Sequence, residues 1–356
     1  MKMIRSFLLV AVLLFQSSGN AWSQIAIEST LAKINSLPPK ERQDALIAGA
    51  RKEGFVEWYG SLLINEVTEI SAAFKKRYPF LDVKYTRGGG TNLVGRVLTE
   101  IKTGSTNVDI FSGRGNLHPT LMKAGFPAKN SAPFRQELRE GFIDKDGYFA
   151  GQHTYGLIIT YNTRNVAPNR VPTAYQDLLN PEWKGQIALD IESYDWLAGI
   201  IDILGEEAAL AFARKLAVQN IRLQRGHSLL TQLIAAGELK IMIDGYHYQI
   251  LTLRQKGAPL DFTVPDPMII KEPSGVWISR RSPHPHAAAL LMDFLFAPEG
   301  QQFHAKQFFL SARKDISWDF GGKTIRGIRF VSAEKWGERY SELIKQFDDI
   351  FRKKAD

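Results

Sequence analysis

Hydrophobic and polar positions alternate along this chain with two distinct periods. Phe55-Val-Glu-Trp-Tyr59 reads as a strand, and over residues 65–78 the apolar positions Val67, Ile70, Phe74 and Tyr78 share one helical face. Leu81-Asp-Val-Lys-Tyr85 is a second strand. A helix from about Thr91 follows, apolar at Leu93, Val94, Val97, Leu98 and Ile101 and closed by Gly104, and Val108-Asp-Ile-Phe111 is a third strand. Strand, helix, strand, helix, strand at this spacing predicts an α/β fold with a parallel sheet, whose ligand crevice lies beyond the carboxyl ends of the strands. Those ends are Tyr59-Gly-Ser61, Thr86-Arg-Gly-Gly-Gly-Thr91 and Ser112-Gly-Arg114, rich in glycine and hydroxyls.

A second set repeats the theme. Strands are predicted over 156–161, 186–190, 240–244, 262–264 and 274–278, and helices over 196–204, 206–218, 229–236 and 287–296. Before the first of these sets, residues 27–52 read as helical with a break at Pro38-Pro39, and Gly54 supplies a C-cap. No fixed-period repeat or low-complexity linker separates the two halves.

The first residues change the compartment. Lys2 and Arg5 precede the apolar run Phe7–Phe15, and Ala21-Trp-Ser23 places small residues before a cut at Gln24, so residues 1–23 read as a cleavable secretory signal. The run is too short to span a bilayer core of about 30 Å. The chain of 356 residues has no cysteine, which removes disulfides, thiolate catalysis and cysteine metal sites, and leaves stability to the core. The formal charge of +8, less Lys2 and Arg5, leaves +6 after the cut. The basic residues are scattered among acids, as in Arg135-Gln-Glu-Leu-Arg-Glu140, so no nucleic-acid partner is expected.

Several segments together resemble the type 2 periplasmic solute-binding proteins of ABC importers. Tyr161-Asn-Thr163 with Pro172-Thr-Ala-Tyr-Gln-Asp-Leu-Leu-Asn-Pro-Glu-Trp-Lys-Gly185 is similar to their hinge-plus-turn signature, and residues 283–301, ending Pro298-Glu-Gly-Gln301, to their late helix. Gly257-Ala-Pro259 and Val264-Pro-Asp-Pro267 lie between. The nearest branch contains the ferric-iron-binding proteins and relatives for organic ligands. The resemblance implies a two-lobed periplasmic-binding-protein type 2 fold, each lobe a mixed sheet flanked by helices, joined by two hinge strands. It implies a discontinuous first lobe of residues 24–158 and 265–356 and a second lobe of 159–264. It further implies a monomeric periplasmic protein that closes on a small ligand and docks on an inner-membrane ABC permease, or alternatively serves a membrane sensor.

The ferric-binding relatives hold iron with adjacent tyrosines, often assisted by a His after the first strand and a Glu after the third. Phenolate is a hard ligand suited to Fe(III). Here the tyrosine pair aligns with Gly245-Tyr246-His247-Tyr248, the His position falls near Ser61-Leu62, and the Glu position falls near Arg114. Tyr246 and His247 are thus the candidate metal ligands, and iron would be transported rather than held as a cofactor. No cofactor is expected. Arg114 beside the helix start at Gly88-Gly-Gly-Thr91 suits an oxyanion instead, since a guanidinium binds carboxylate or phosphonate bidentately and a helix start favours negative charge. The candidate ligand-binding residues are therefore Ser61, Gly90, Thr91, Ser112, Arg114, Tyr155, Ser193, Tyr194, His227 and Tyr246. Structural alternatives accompany them: Thr91, Asp195 and Ser228 as helix caps, Tyr194 and Trp196 as packing, Arg96 as an outer salt bridge, and His284 and His286 as solvent-facing residues. Gly88-Gly-Gly90 lacks the Lys of a phosphate loop. Asp190 and Glu192 sit on one strand face, but with no Gly-x-Ser-x-Gly or His-Glu-x-x-His motif, no enzyme is expected. The expected ligand is a small anionic or zwitterionic organic solute, with ferric iron the alternative.

Overall fold

The computed structural model describes residues 27–105 and 107–352; the expected secretory segment 1–23 lies outside them. Among the described residues no helix is long and apolar enough to cross a membrane. The chain forms two compact units, the first comprising residues up to 152 and 274–300, the second 153–273 and 301–356.

Strands run in chain order as β1 Phe55–Gly60, β2 Asp82–Arg87, β3 Ile110–Gly113, β4 Ala150–Thr154, β5 Gly156–Asn162, β6 Ile187–Asp190, β7 Arg222–Gln224, β8 Ile241–Tyr246, β9 Leu260–Thr263, β10 Met268–Ile270, β11 Ser274–Ile278, β12 Leu310–Ser311 and β13 Ile328–Phe330. In the first unit the order is β4-β11-β3-β1-β2. β1 is parallel to β2 and β3, and β11 returns antiparallel to β3, so the sheet is mixed. The helices Ile64–Arg77 and Gly90–Thr103 make the two crossovers. Val67, Ile70 and Phe74 of the first are buried, as their shared face predicts. Gly104 ends the second in the left-handed conformation with φ 73°, the cap its position implied.

The late helix Pro285–Phe296 fixes two histidines expected to face solvent. Its first turn leaves backbone N–H groups without intrahelical partners. The Glu53 carboxylate accepts from the N–H of Ala287 at 2.7 Å and lies 2.7 Å from His286 Nδ1. Asp109, fully buried, accepts from the His284 N–H at 3.1 Å and lies 3.0 Å from its ring. Arg42 grips Asp293 further along with two bonds of 2.5 and 2.9 Å, tying the helix Pro39–Glu53 to it. Arg96 pairs with Glu100 at 2.7 Å, the outer bridge expected of it.

The second unit carries a mixed sheet in the order β13-β10-β5-β8-β6-β7, with β9 alongside β5. β6 is parallel to β7 and β8, while β5 runs antiparallel to β8. The division between units differs from the expected lobe boundaries in two places. Residues 153–158 belong to the second unit, because His153 and Thr154 pair with Ser311 and Leu310, and β5 is a central strand of its sheet. Residues 301–356 also join the second unit rather than the first. The helix Tyr340–Phe351 buries Leu343 and Phe347 in one core with Trp196, Leu197 and Phe212. An amphipathic helix follows the core that can cover its apolar stripe, and chain position near residues 265–300 does not decide which core that is.

Candidate binding site

In the first unit, β1, β2 and β3 end together: Gly60 is in register with Arg87 on one side and Ser112 on the other. Ser61 and Arg114, the residues just beyond, are both exposed at this edge. Ser112 is not available there. Its side chain is buried and accepts a 2.8 Å bond from the Trp58 indole, which places it in the core of its own unit. The glycines serve close approach. A Cβ on Gly60 would meet Ser112 Oγ at 2.4 Å, and one on Gly88 would meet Leu93 Cγ at 2.7 Å. The helix begins at Gly90, with Gly89 as its cap position, one residue before the expected start at Thr91. The side chain of Thr91 lies outside the described residues.

The second unit concentrates its chemistry at the carboxyl ends of β6, β7 and β8. The parallel register pairs Asp190 with Gln224 and Ala188 with Met242, so the loops after Asp190, Gln224 and Tyr246 emerge on one edge. Two buried carboxylates organise them. Asp190 accepts from the N–H of Glu192 at 2.8 Å and of Gly226 at 2.6 Å, pinning both neighbouring loops. Asp244 accepts from the Asp190 N–H at 3.2 Å and from the Ser193 hydroxyl. Ser193, expected at the ligand, is thereby buried in the frame, its hydroxyl spent on Asp244.

His227 sits between these carboxylates, Nε2 2.9 Å from Asp244 and Nδ1 3.4 Å from Asp190. Its ring lies flat on that of Tyr246, centroids 3.9 Å apart. Tyr246 in turn lies 4.4 Å from Tyr155 and 6.0 Å from Tyr248, and Phe309 closes the group 4.4 Å from Tyr248. Tyr155, Tyr246 and Tyr248 are all partly exposed, so this aromatic face is reachable by a ligand. Burial pushes the Tyr246 phenol well above its ordinary range, against the opposing pull of the Lys271 ammonium.

Lys271 is the residue that sequence patterning missed. It follows β10, is only 7% exposed, and forms an ion pair with the buried Asp195. Its ammonium stands 5.7 Å from the Tyr155 ring centre and 5.8 Å from that of Tyr246. Burial acts to strip its proton, but the Asp195 carboxylate and the two phenols outweigh burial and hold its pKa well above the ordinary lysine value. The Lys271 backbone N–H donates to the Tyr155 carbonyl at 3.2 Å, and the Thr154 hydroxyl donates to the Lys271 backbone carbonyl at 2.7 Å, which ties the Lys271 backbone to the strand end that carries Tyr155. The run Met268-Ile-Ile-Lys-Glu272 carried one signal, a lysine directly after an apolar strand, but nothing in it names Asp195.

Two further residues lie elsewhere than the sequence suggested. Tyr194 does not face this group: its ring meets Tyr340 at 5.9 Å and Phe347 at 5.3 Å edge-on, and its hydroxyl accepts from Arg352 at 3.1 Å, so it packs under the C-terminal helix. His247 is fully buried, with both ring nitrogens engaged. Nδ1 accepts from the Gly156 N–H at 3.1 Å, and Nε2 lies 2.7 Å from the Phe308 carbonyl and donates to it. It has no lone pair left for a metal, and Tyr246 is the member of that pair that reaches the face. Among the described residues, no group of three His, Cys, Asp or Glu side chains is placed to hold a metal ion.

Comparison with known proteins agrees with this organisation. An uncharacterised protein of Haemophilus influenzae is 25% identical over 297 residues, covering 77% of this chain and 84% of that one. Among solved structures, the Trichodesmium protein IdiA (FutA), in complex with iron and citrate, superposes with a TM-score of 0.72 at 19% identity, over 84% of this chain and all of that one. AfuA from Actinobacillus pleuropneumoniae, with exogenous fructose-6-phosphate bound, gives a TM-score of 0.67 at 20% identity, over 84% and 99% of the two chains. The family model for bacterial extracellular solute-binding proteins matches residues 105–318, more than half the chain. By this match, and by a fold shared with solved binding proteins of two-unit α/β architecture, the chain belongs to the bacterial extracellular solute-binding protein family.

Proposed function

We propose that this protein is the periplasmic substrate-binding component of an ABC importer and that it captures a small anionic or zwitterionic organic solute for delivery to an inner-membrane permease. One observation carries the choice of ligand: the buried Lys271 ammonium stands beside Tyr155 and Tyr246, where an iron site would need its phenolates. The ammonium is paired with Asp195, so an anion at the phenols must share its charge with that carboxylate. The phenol hydroxyls and His227 supply neutral donors around it, and the tyrosine rings supply an apolar wall. AfuA with fructose-6-phosphate and the Trichodesmium protein with iron and citrate make organic anions the first ligands to try.

The test is a thermal-shift panel of citrate, hexose 6-phosphates, alkylphosphonates and ferric chloride on the protein purified from periplasm. The reading expects a rise in melting temperature with at least one organic anion, lost in Lys271→Met. Stabilisation by ferric ion alone would overturn it.

A second reading, ferric binding, draws on the convergence of Tyr155, Tyr246 and Tyr248 within 6.0 Å. It predicts a visible phenolate-to-iron absorption band that disappears in Tyr246→Phe.

A further inference from the structure

Asp195 is the second residue of the helix Tyr194–Leu204 and is buried where it pairs with Lys271. Successive side chains on a helix point about 100° apart. Tyr194 and Trp196 therefore straddle one side of this helix, and Asp195 points from the other. Both flanking rings lean on the C-terminal helix Tyr340–Phe351. Tyr194 meets Phe347 edge-on at 5.3 Å and Tyr340 at 5.9 Å, and Trp196 meets Phe351 edge-on at 6.2 Å. Aromatic pairs prefer such geometries, so these contacts set how the helix that carries Asp195 is rotated about its axis.

The end of the C-terminal helix adds a polar clamp. The Asp348 carboxylate, one turn back, holds the Arg352 guanidinium with 3.1 Å to Nε. Arg352 Nη2 donates to the Ile191 carbonyl and, at 3.1 Å, to the Tyr194 hydroxyl. One guanidinium thus ties together the loop that leads into the helix and the first residue of the helix. Asp190 and Asp244 hold the same loop through the Glu192 N–H and the Ser193 hydroxyl. Were the helix to turn, Asp195 would swing away and leave the Lys271 ammonium buried without its carboxylate, a costly arrangement.

We infer that Arg352 is a positioning residue for the ligand face. It fixes the rotation of the helix Tyr194–Leu204, and through Asp195 it sets the Lys271 ammonium beside Tyr155 and Tyr246. Lys271 faces the ligand in the proposed function, on which this inference rests, but the test reads Lys271 itself. Side-chain 15N resonances of the lysines are recorded on the full chain purified from periplasm, with Lys271 assigned by the signal lost in Lys271→Met. Arg352→Ala is expected to shift the Lys271 resonance more than that of any other lysine. Arg339→Ala is the control, because Arg339 ties the start of the same helix to Glu206 at 3.0 Å instead. A merely structural role for the C-terminal helix would shift the Lys271 resonance equally in the two variants. Equal shifts, or an unmoved Lys271 resonance in a folded Arg352→Ala protein, overturn the inference. Should Arg352→Ala fail to fold, Arg352→Gln keeps the aliphatic stem and gives the same readout. Stabilisation of the unaltered protein by citrate, a hexose 6-phosphate or an alkylphosphonate alongside an unmoved resonance sinks the role of Arg352 and leaves the anion reading standing. A moved resonance with no stabilisation by any of these anions does the reverse.

Discussion

The imidazole of His227 lies on the phenol ring of Tyr246 with centroids 3.9 Å apart and planes inclined by 14°. Stacking sets the position of Tyr246, and the bond from His227 to Asp244 sets the position of His227. The aromatic face is therefore braced from behind by the buried carboxylates Asp190 and Asp244. Removing the imidazole frees the Tyr246 ring to rotate while leaving its hydroxyl intact. His227→Ala is expected to weaken solute binding by tenfold or more, equivalent to about 1.4 kcal/mol, with isothermal titration against the best organic anion as the check. Unchanged affinity would remove His227 from the site.

Much of the framework follows from local pattern, and the site follows only in part. β1, β2, β11 and the helices between them follow from periodicity and from glycines at caps, because a strand or helix buried on one face must show it locally. Tyr246 was singled out by a resemblance and His227 by a helix start, and the fold stacks the two rings. The burial of His247 and Ser193 was not legible because each is satisfied by a partner distant in sequence, Phe308 and Gly156 for the first and Asp244 for the second. Lys271 was missed for the same reason. A buried lysine is legible only once its counter-charge is, and Asp195 reads locally as a helix cap.

The Lys271–Asp195 pair separates binding from stability. Lys271→Met leaves a buried carboxylate without its ammonium and is expected to cost about 3–5 kcal/mol. The double variant Lys271→Met with Asp195→Leu should recover most of that loss in urea denaturation, because removing both charges also removes their burial cost, yet it should still fail to bind the anion. A double variant that binds as well as the unaltered protein would show that the ammonium is not the anion's partner.

The glycine in Pro298-Glu-Gly-Gln301 permits a tight return of the chain. A Cβ on Gly300 would stand 2.1 Å from the Phe294 carbonyl oxygen and 2.9 Å from Leu295 Cα, both backbone atoms that cannot turn aside. Gly300→Ala is expected to destabilise the protein by about 1–3 kcal/mol without altering affinity. A melting temperature equal to that of the unaltered protein would show that the turn relaxes freely.

Acid should weaken the second unit through three buried histidines, of which His153, held against His304, is pushed well below the ordinary imidazole range by burial. Burial pushes His247 and His304 down to about 4, against an ordinary imidazole value of about 6.5. The folded state favours the neutral rings, so their contribution is fully present above the ordinary value and is lost as pH falls from there toward 4. Each group accounts for about 3 kcal/mol at most. Denaturation midpoints measured at pH 7 and pH 4.5 should differ less in His304→Leu than in the unaltered protein. Equal pH dependence in the two would assign the acid sensitivity elsewhere.

The central claim is that the face formed by Lys271, Tyr155, Tyr246 and His227 holds a small organic anion, and native mass spectrometry of protein taken from periplasm without refolding tests it most directly. The account predicts an added mass of a small organic solute that fragments to a carboxylate or phosphate, present on the unaltered protein and absent from Lys271→Met. An added mass of iron alone, or an organic solute retained equally by Lys271→Met, would contradict it.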